Sequence, residues 1–298
     1  MIGGSRTHIN SQLPAPSSCT TTVDNKVAIV TGATTGIGHG ASIQLAKAGF
    51  KVVLAGRRQD KGQALEEELR KQGLEATFVQ TDVTKEEDLK RLFDTTVAKY
   101  GALHLLINNA GTGEWVPLDH ADAAKHFDIV YDVNVKSIIR SFFFAVPLLA
   151  KNGGGLIINI SSVMSVLSSP GSAVYSSSKT AVDAITRVAA AEFKDRNIKV
   201  FSINPFVFES EMADKAGKQI LGVDRVEEVA AAFNPSGRAG KGSEIGGFVV
   251  ELFSGQHDGQ YESGANIAID AGKDHYPVAE VPSRIAAART AIPQVKAN

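Results

Sequence analysis

The chain has little of several residue types, and each shortage excludes a class of protein. Its single cysteine, Cys19, cannot form an intrachain disulfide or a cysteine-based structural metal site, and we predict no metal site. Charge is balanced, with 31 Lys and Arg against 32 Asp and Glu, so no bulk attraction to nucleic acid or to an anionic membrane is expected. The apolar runs are short and interrupted, so we expect no bilayer-spanning segment.

The first 24 residues contain few charged side chains. They lack the apolar core of a secretory signal peptide. Ser and Thr are frequent, Arg6 is present and no acid precedes Asp24, a composition that organelle transit peptides share. A disordered leader over 1–24 in a cytoplasmic protein is the simpler interpretation, and a transit peptide stays open.

From Lys26 onward, short β-rich runs alternate with helical patterns. The runs lie at 26–31, 51–56, 75–80, 104–108, 155–160, 198–203 and 265–269. A long apolar helix is predicted near 121–150, which Pro147 should end or kink. Strands that are apolar on both faces predict a parallel sheet covered by helices on both sides.

We therefore expect a single α/β domain of the doubly wound type. It would span 25–272 and include a less regular loop at 206–240 that is punctuated by Gly and Pro. The segment 273–298 has no evident core face and reads as a C-terminal extension. No composition shift marks a second domain.

The first strand-to-helix turn carries the most informative glycines. Gly32, Gly36 and Gly38 stand where a dinucleotide pyrophosphate meets a helix N-terminus. Glycine lets the backbone turn tightly and come close to phosphate groups. The spacing G-x-x-x-G-x-G differs from the common G-x-G-x-x-G, and a glycine-rich turn without a ligand is the alternative.

Tyr175 and Lys179 are predicted to lie one turn apart on one helix face. An ammonium group beside a phenol lowers the pKa of the tyrosine from about 10, so Tyr175 could exchange a proton with an alcohol or ketone oxygen. Ser162, at the end of an earlier strand, could hydrogen-bond the same oxygen. Alone, Y-x-x-x-K is a weak signal, because most such pairs are solvated helix surface.

Together these motifs resemble the short-chain dehydrogenase/reductase family, in its single-domain branch of about 250 residues. The matching segments, in the family's order and spacing, are TGATTGIG (31–38), NNAG (108–111), Asn134 within DVNVKS, Ser162 within NISS and YSSSK (175–179). The resemblance covers about 25–272. It implies a Rossmann-like fold and an oxidoreductase that transfers hydride between a nicotinamide cofactor and a carbonyl or secondary alcohol.

The resemblance also implies a role for each catalytic residue. Tyr175 would be the general acid/base, Lys179 would lower its pKa and hold the nicotinamide ribose, and Ser162 would position the substrate oxygen. Asn134 would bend its helix and hold a water in a proton relay to Lys179. By sequence pattern alone, Asn134 is an ordinary polar helix residue.

A set of cofactor contacts follows from the same resemblance. Asn109, Ala110 and Gly111 would pack beside the adenosine ribose. Asp82 and Val83 would hold the adenine, although Asp82 alone reads as a helix N-cap. The full predicted set is Gly32, Thr34, Thr35, Gly36, Ile37, Gly38, Arg57, Arg58, Asp82, Val83, Asn109, Ala110, Gly111, Tyr175, Lys179, Pro205, Phe208 and Ser210.

Residues 56–58 bear on the choice between NADP and NAD. An acid at the end of the second strand would bind the ribose 2′-OH of NAD, but this chain has Gly56, Arg57 and Arg58 there. Two guanidinium groups suit a dianionic 2′-phosphate, so we predict NADP(H), with NAD less favoured. A solvent-facing basic pair is the alternative, and positions 33–35 lack the second cation of some NADP-dependent members.

The loop after the sixth strand departs from the family pattern. The family usually has Pro-Gly, whereas Phe206 follows proline here, so it could project into the substrate pocket or pack under the loop. Candidate substrate contacts are Trp115, Ser162, Phe206 and Met212. Their largely apolar character suggests an apolar carbonyl or alcohol substrate.

Other functions of the same fold fit less well. Sugar epimerases and dehydratases prefer T-G-x-x-G-x-x-G and carry a larger C-terminal region. Enoyl reductases place Tyr and Lys seven residues apart, and position 182 is Val. A non-catalytic NADP-binding regulator usually loses the tyrosine or the lysine, and this chain keeps both.

The resemblance further implies a homodimer or homotetramer formed through the long helix and the Tyr175 helix. Phe142, Phe143 and Phe144 point about 100° apart and make the long helix apolar on more than one side. Three consecutive phenylalanines in a monomer core would be awkward. Neither nucleic acid nor a membrane is expected as a partner.

Overall fold

The computed structural model describes residues 23–167, 169–221, 225–271 and 275–285, with side chains at 220–221 and 232 excepted. The predicted leader therefore lies almost wholly outside the described residues. The part of the predicted tail beyond 285 also lies outside them.

The strands that the described residues form make one eight-stranded sheet. They are β1 (Val27–Thr31), β2 (Lys51–Gly56), β3 (Ala76–Gln80), β4 (Leu105–Asn108), β5 (Gly155–Ile160), β6 (Ile198–Pro205), β7 (Asn266–Ile269) and β8 (His275–Pro277). Their order is β3-β2-β1-β4-β5-β6-β7-β8. Pairing is parallel as far as β7, and β8 adds an antiparallel edge. The predicted α/β doubly wound parallel sheet is confirmed.

Helices connect these strands. They are α1 (Gly36–Lys47), α2 (Gln59–Lys71), α3 (Glu86–Tyr100), α4 (Ala123–Tyr131), α5 (Ser137–Lys151), α6 (Ala173–Phe193), α7 (Glu211–Leu221), α8 (Val226–Phe233) and α9 (Gly242–Phe253). A π-helical turn (Asp132–Lys136) joins α4 to α5. Helices α7 and α8 occupy the loop 206–240, which is more regular than its Gly and Pro content suggests.

Alternate residues of each central strand pack on opposite faces of the sheet. On one face Val30 joins a core cluster with Leu45 of α1 and Phe248 of α9. On the other face Ile29 joins a second cluster with Leu89 of α3 and Val182 of α6. Burial on both faces explains why the strands read as continuous apolar runs rather than as an alternating pattern.

The order of the sheet creates the crevice in which the site lies. Strand β1 pairs with β2 on one side and with β4 on the other, so successive crossovers leave in opposite directions from this point. Open α/β sheets bind ligands at such a switch point, beyond the carboxyl ends of the strands. The glycine turn after β1 and the NNAG segment after β4 both lie there.

The helix after β4 differs from expectation in two ways. It continues past Pro147 to Lys151, where we expected an end or a kink. Pro147 and Phe143 are both exposed, so water can reach the Phe143 carbonyl that Pro147 cannot bond. Residues 123–151 form one helix that is long and apolar enough to cross a membrane, contrary to the expectation from short runs. Half of its most apolar window is buried in the fold, as in core helices.

The chain after β7 also differs from its description as a segment without a core face. Strand β8 pairs with β7, and Tyr276 lies opposite Ala268. Tyr276, Val278 and Val281 are buried in an apolar cluster with Phe206. Part of the predicted extension therefore completes the edge of the domain.

Candidate active site

The glycine turn is shaped by backbone requirements. Gly32 and Gly36 adopt positive φ angles of 65° and 56°, which other residues adopt rarely. A Cβ at Gly38 would lie 2.4 Å from the Gly32 carbonyl oxygen, so only glycine fits there. The turn brings the amino end of α1 to the crevice, where its unpaired N–H groups can meet an anion.

The NNAG segment is clamped to this turn by hydrogen bonds. The side-chain amide of Asn109 donates to the carbonyl oxygens of Thr31 and Gly32 at 2.8 and 3.2 Å. The backbone N–H groups of Asn109 and Ala110 both donate to the Thr31 hydroxyl oxygen at 3.0 Å. The two predicted cofactor segments therefore form one unit.

Asn134 lies within the π-helical turn and is 1% exposed. Its carbonyl oxygen accepts from the Thr112 N–H at 2.8 Å, and its amide donates to the Thr112 carbonyl oxygen and the Ser178 hydroxyl at 2.9 and 3.0 Å. The turn supplies the helix irregularity that the resemblance implied for Asn134. A Cβ at Gly111 would lie 3.5 Å from Asn134 Oδ1 and 3.6 Å from Lys179 Nζ, which shows how closely these groups converge.

Tyr175 and Ser162 meet at the base of the crevice. Both residues are 8% exposed. Burial raises the pKa of Tyr175, and a hydrogen bond with the Ser162 hydroxyl opposes that shift. The Trp115 ring packs against the Tyr175 ring, with the two centroids 5.7 Å apart and the planes tilted by 39°.

Lys179 is buried one turn below Tyr175. Its ammonium group donates to the Ile160 carbonyl oxygen at 2.9 Å and lies 5.7 Å from the centroid of the Tyr175 ring. Burial lowers the pKa of Lys179 to about 8, and the nearby charge of Asp183 opposes the shift. Burial dominates at the phenol, and the lowering of the Tyr175 pKa by Lys179 stays a prediction.

The basic residues after β2 are joined by a carboxylate from the far side of the crevice. Glu211, at the start of α7, lies 2.9 Å from Arg58 Nη1 and 2.9 Å from Lys61 Nζ. Arg58 also donates to the Thr35 hydroxyl at 2.6 Å. Lys61 and Arg58 hold the pKa of the Glu211 carboxyl below its usual range. Arg57 is exposed.

This region can take the nucleotide end of a dinucleotide. A cavity of about 430 Å³ is lined by Thr34, Thr35, Gly36, His39, Lys61, Ala64, Leu65, Glu68 and Glu211. It joins the glycine turn to Lys61, and Glu211 in its wall also binds Arg58. The glycine turn and the concave shape suit the phosphates of a dinucleotide.

The remaining predicted contacts occupy varied positions. Asp82 accepts from the N–H and hydroxyl of Thr84 at 3.0 and 2.8 Å, so it closes a turn before α3 and does not cap that helix. Val83 packs in the core cluster of Ile29. Ser210 caps the start of α7 by accepting from the Ala213 N–H at 3.1 Å. A Cβ on Gly36 would lie 2.9 Å from the Ser210 Cβ.

The predicted apolar contacts at the end of β6 and in the loop after it are mostly buried. Phe206 is 7% exposed and lies in the apolar cluster of Val163 and Tyr276, so it packs beneath the loop. Phe208 is 2% exposed and packs against Gly240. Met212 is partly exposed on α7, and Pro205 ends β6 as a buried residue. Ile37 is partly exposed at the start of α1.

Some residues near the site were missed by the sequence analysis. Lys61 follows Arg58 by three positions, and helical spacing could have placed both on one face. Asp183 follows Lys179 by four positions on α6, and the same reasoning applies. Glu211 could not have been found, since only the path of the loop brings it to Arg58.

Comparisons with known proteins place this geometry in a family. Residues 26–221 match the family model described as short chain dehydrogenase. The chain is 31% identical over 249 residues to the 3-oxoacyl-(acyl-carrier-protein) reductase FabG of Staphylococcus aureus, covering 83% of this chain and 97% of the relative. It is 32% identical over 247 residues to an oxidoreductase of Sarocladium schorii, covering 83% and 95%.

Solved structures agree. A 7α-hydroxysteroid dehydrogenase, in complex with NADH and 7-oxo glycochenodeoxycholic acid, has a TM-score of 0.76 at 29% identity and covers 86% of this chain and 97% of its own. A gluconate 5-dehydrogenase of Burkholderia cenocepacia, in complex with NADP and tartrate, has a TM-score of 0.75 at 27% identity, with coverage of 85% and 97%.

The chain belongs to the short-chain dehydrogenase/reductase family. It is accordingly an NAD(P)-dependent oxidoreductase that acts on CH–OH and C=O groups.

Proposed function

We propose that this protein is an NADPH-dependent reductase of a small, largely apolar ketone, and in reverse a secondary-alcohol dehydrogenase. The observation that carries the proposal is the buried group of Tyr175, Ser162 and Lys179 at the crevice. Arg58 and Lys61, which both bind Glu211, are the second part of the site. The catalytic part rests on the first three residues. The cofactor preference rests on Arg58 and Lys61.

The proposed chemistry uses the chain's own groups for the proton. When bound, the nicotinamide cofactor supplies the hydride to the carbonyl carbon. Ser162 donates a hydrogen bond to the carbonyl oxygen, and the Tyr175 phenol transfers its proton there as the oxygen gains charge. The Lys179 ammonium group stabilises the phenolate that remains. Asn134 holds the loop at Thr112 in place, and its part in a proton relay stays a prediction.

NADP is favoured by the way in which Arg58 and Lys61 already bind an anion. Glu211 occupies a position that both cations reach, and no acid stands at 56–58 to bind a ribose 2′-OH. A 2′-phosphate carries more charge than a carboxylate and matches the planar fork of arginine. The related structures include both NADH and NADP complexes, so NAD is the alternative.

An apolar substrate is favoured by Trp115, whose ring packs against the Tyr175 ring. Glu114, the preceding residue, forms an ion pair of 2.7 Å with Lys215 of α7. This ion pair links α7 to the segment between β4 and α4. The acid is thereby neutralised at the side on which a substrate would enter. Ser162 and Tyr175 supply the polar contacts for a carbonyl oxygen.

The decisive experiment follows NADPH absorbance with a panel of apolar ketones, with Tyr175→Phe as the blank. We expect turnover by the wild type and a loss of about 10²–10⁴-fold in the variant. Tight NADPH binding without turnover of any ketone would favour the alternative of a non-catalytic regulator.

We also propose a cytoplasmic homodimer or homotetramer. Exposed apolar side chains lie on α4, α5 and α6, namely Phe127, Ile129, Ile139, Phe143 and Val188. Phe142 is buried and Phe144 stacks on Phe93, so only Phe143 of the three consecutive phenylalanines, 71% exposed, faces outward. Light scattering should show a dimer or tetramer that Phe143→Glu dissociates, and a monomeric wild type would refute this.

A further inference from the structure

Two histidines and a glutamate converge outside the residues assigned to catalysis and cofactor binding. Glu251 lies near the end of α9, His257 in the turn that follows, and His275 at the start of β8. The ligand-forming atoms of the three side chains all lie within 4.8 Å of one another. The end of α9 with its following turn and the distant start of β8 thus present two imidazoles and a carboxylate to one point.

His257 is held through both of its ring nitrogens. Its Nε2 atom lies 2.9 Å from Glu251 Oε2, and its Nδ1 atom lies 2.8 Å from Gln260 Oε1. The Gln260 amide is oriented by donating its N–H to the Tyr261 hydroxyl at 3.3 Å. Both ring nitrogens of His257 therefore face acceptor oxygens. With its proton on Nδ1, His257 donates to Gln260 and turns the Nε2 lone pair toward Glu251, which is the arrangement in which one ion can take both as ligands.

The surrounding residues hold both rings in place. The Tyr261 hydroxyl lies 2.9 Å from His275 Nδ1 and donates to the His275 carbonyl oxygen at 3.0 Å. The Phe248 ring packs against both imidazoles, with centroid distances of 5.0 Å to His257 and 4.5 Å to His275. The side chain of His257 is only 12% exposed. Such outer contacts orient metal ligands and exclude water.

We propose that Glu251, His257 and His275 bind one Zn²⁺ ion, with water as the fourth ligand. Two imidazole nitrogens and a carboxylate oxygen are a ligand set that zinc accepts at about 2.0–2.2 Å. Ligand atoms of a tetrahedral zinc site lie about 3.4 Å apart, so the Glu251–His257 pair needs to open by about 0.5 Å. In this site the Gln260 amide oxygen accepts a hydrogen bond from His257 Nδ1–H, which leaves Nε2 for the metal. The site departs from the prediction of no metal.

The proposed ion would have a structural role. It would link His275 of β8 to Glu251 of α9 and to His257 in the turn that follows α9. Tyr276 of β8 and Val278, which follows the strand, pack in one apolar cluster with Phe206 below the substrate loop. Zinc should therefore stabilise the edge of the domain without taking part in hydride transfer.

The test uses the full chain in a Cys19→Ser background, which removes the single thiol. After treatment with EDTA, calorimetry with ZnCl₂ should give one ion per chain, and CoCl₂ should give the visible absorption of tetrahedral cobalt. Saturating zinc should raise Tm by about 5 °C and slow hydrogen exchange at 275–285. His257→Gln and His275→Gln should each weaken binding at least tenfold, whereas the exposed control His120→Gln should not.

Several outcomes would overturn the proposal. They are absence of zinc binding at micromolar concentration, octahedral cobalt spectra, or equal affinity in Glu251→Gln, His257→Gln and the wild type. Tm in EDTA identifies a variant that fails to fold, and the cobalt spectrum of the wild type then decides. Tyr175→Phe should bind zinc as the wild type does, so the result is independent of the proposed catalytic function.

Discussion

The side-chain amide nitrogen of Asn204 lies 3.1 and 3.0 Å from the two carboxylate oxygens of Asp183, in the core beneath the catalytic group. The same nitrogen lies 3.0 Å from the Ser162 carbonyl oxygen, and Ser202 donates to Asp183 at 3.0 Å. Asp183 also stands one helical turn after Lys179, and its charge opposes the fall of the Lys179 pKa. A buried carboxylate thus supports both the backbone of Ser162 and the charge of Lys179.

Replacing Asp183 by Asn should therefore alter the pH profile as well as the rate. Removal of a negative charge disfavours the ammonium form, so the pKa of Lys179 falls. We expect the alkaline limb of kcat/KM for ketone reduction to move to lower pH by about one unit and kcat to fall about tenfold. A lower rate with an unmoved limb would show that Asp183 only supports the fold.

The cations that face Glu211 make the cofactor preference testable. Arg58→Ala and Lys61→Ala should each lower the ratio of kcat/KM for NADPH to that for NADH by about tenfold, because each removes a charge-assisted hydrogen bond. Arg57→Ala tests the remaining predicted cation in the same assay. Ratios that stay unchanged in all three variants would remove the basis for NADP.

Glu211→Gln should have the opposite effect. Its carboxylate competes with a 2′-phosphate for Arg58 and Lys61, so its loss should lower the Kd of NADPH several-fold and leave that of NADH nearly unchanged. Glu209→Gln, two residues earlier in the same loop, is the matched control. Weaker NADPH binding by Glu211→Gln would contradict competition at this position.

How much of the fold and of the candidate site can be predicted from sequence depends on whether the signal is local. Strand β5 was predicted with its observed limits because buried parallel strands are continuous apolar runs, and the glycine turn because only glycine tolerates its backbone. The contact of Glu211 with Arg58 links residues 153 positions apart, and no local pattern encodes it. Strand β8 is equally hidden, since three residues gain strand structure only by pairing with β7.

Lys179 should lower the stability of the protein at neutral pH. Its pKa is about 8 in the folded chain against a usual 10.5, so below pH 8 it is charged in both states and its burial is unfavourable. Between pH 8 and 10.5 the unfolded chain binds more protons, so stability rises with pH. This difference in the pKa of Lys179 corresponds to about 3 kcal/mol.

Lys179→Met should remove this unfavourable term. We expect the free energy of unfolding at pH 7 to increase by as much as about 3 kcal/mol, the gain to vanish above pH 10.5, and turnover to be lost. Urea denaturation at both pH values measures this, and Lys136→Met is the exposed control. A destabilised Lys179→Met variant at pH 7 would show that the hydrogen bond to Ile160 outweighs burial of the charge.

The position of Phe206 separates a packing role from a substrate role. Its ring lies in the cluster of Tyr276, with a centroid distance of 6.5 Å, and 7% of the residue is exposed. Phe206→Gly, which restores the residue usual in the family, should therefore open a cavity and lower the free energy of unfolding by at least about 3 kcal/mol. Phe206→Leu should recover much of that loss. Denaturant unfolding together with kcat/KM for two ketones of different size checks this, and a change in their ratio without loss of stability would place Phe206 in the substrate pocket instead.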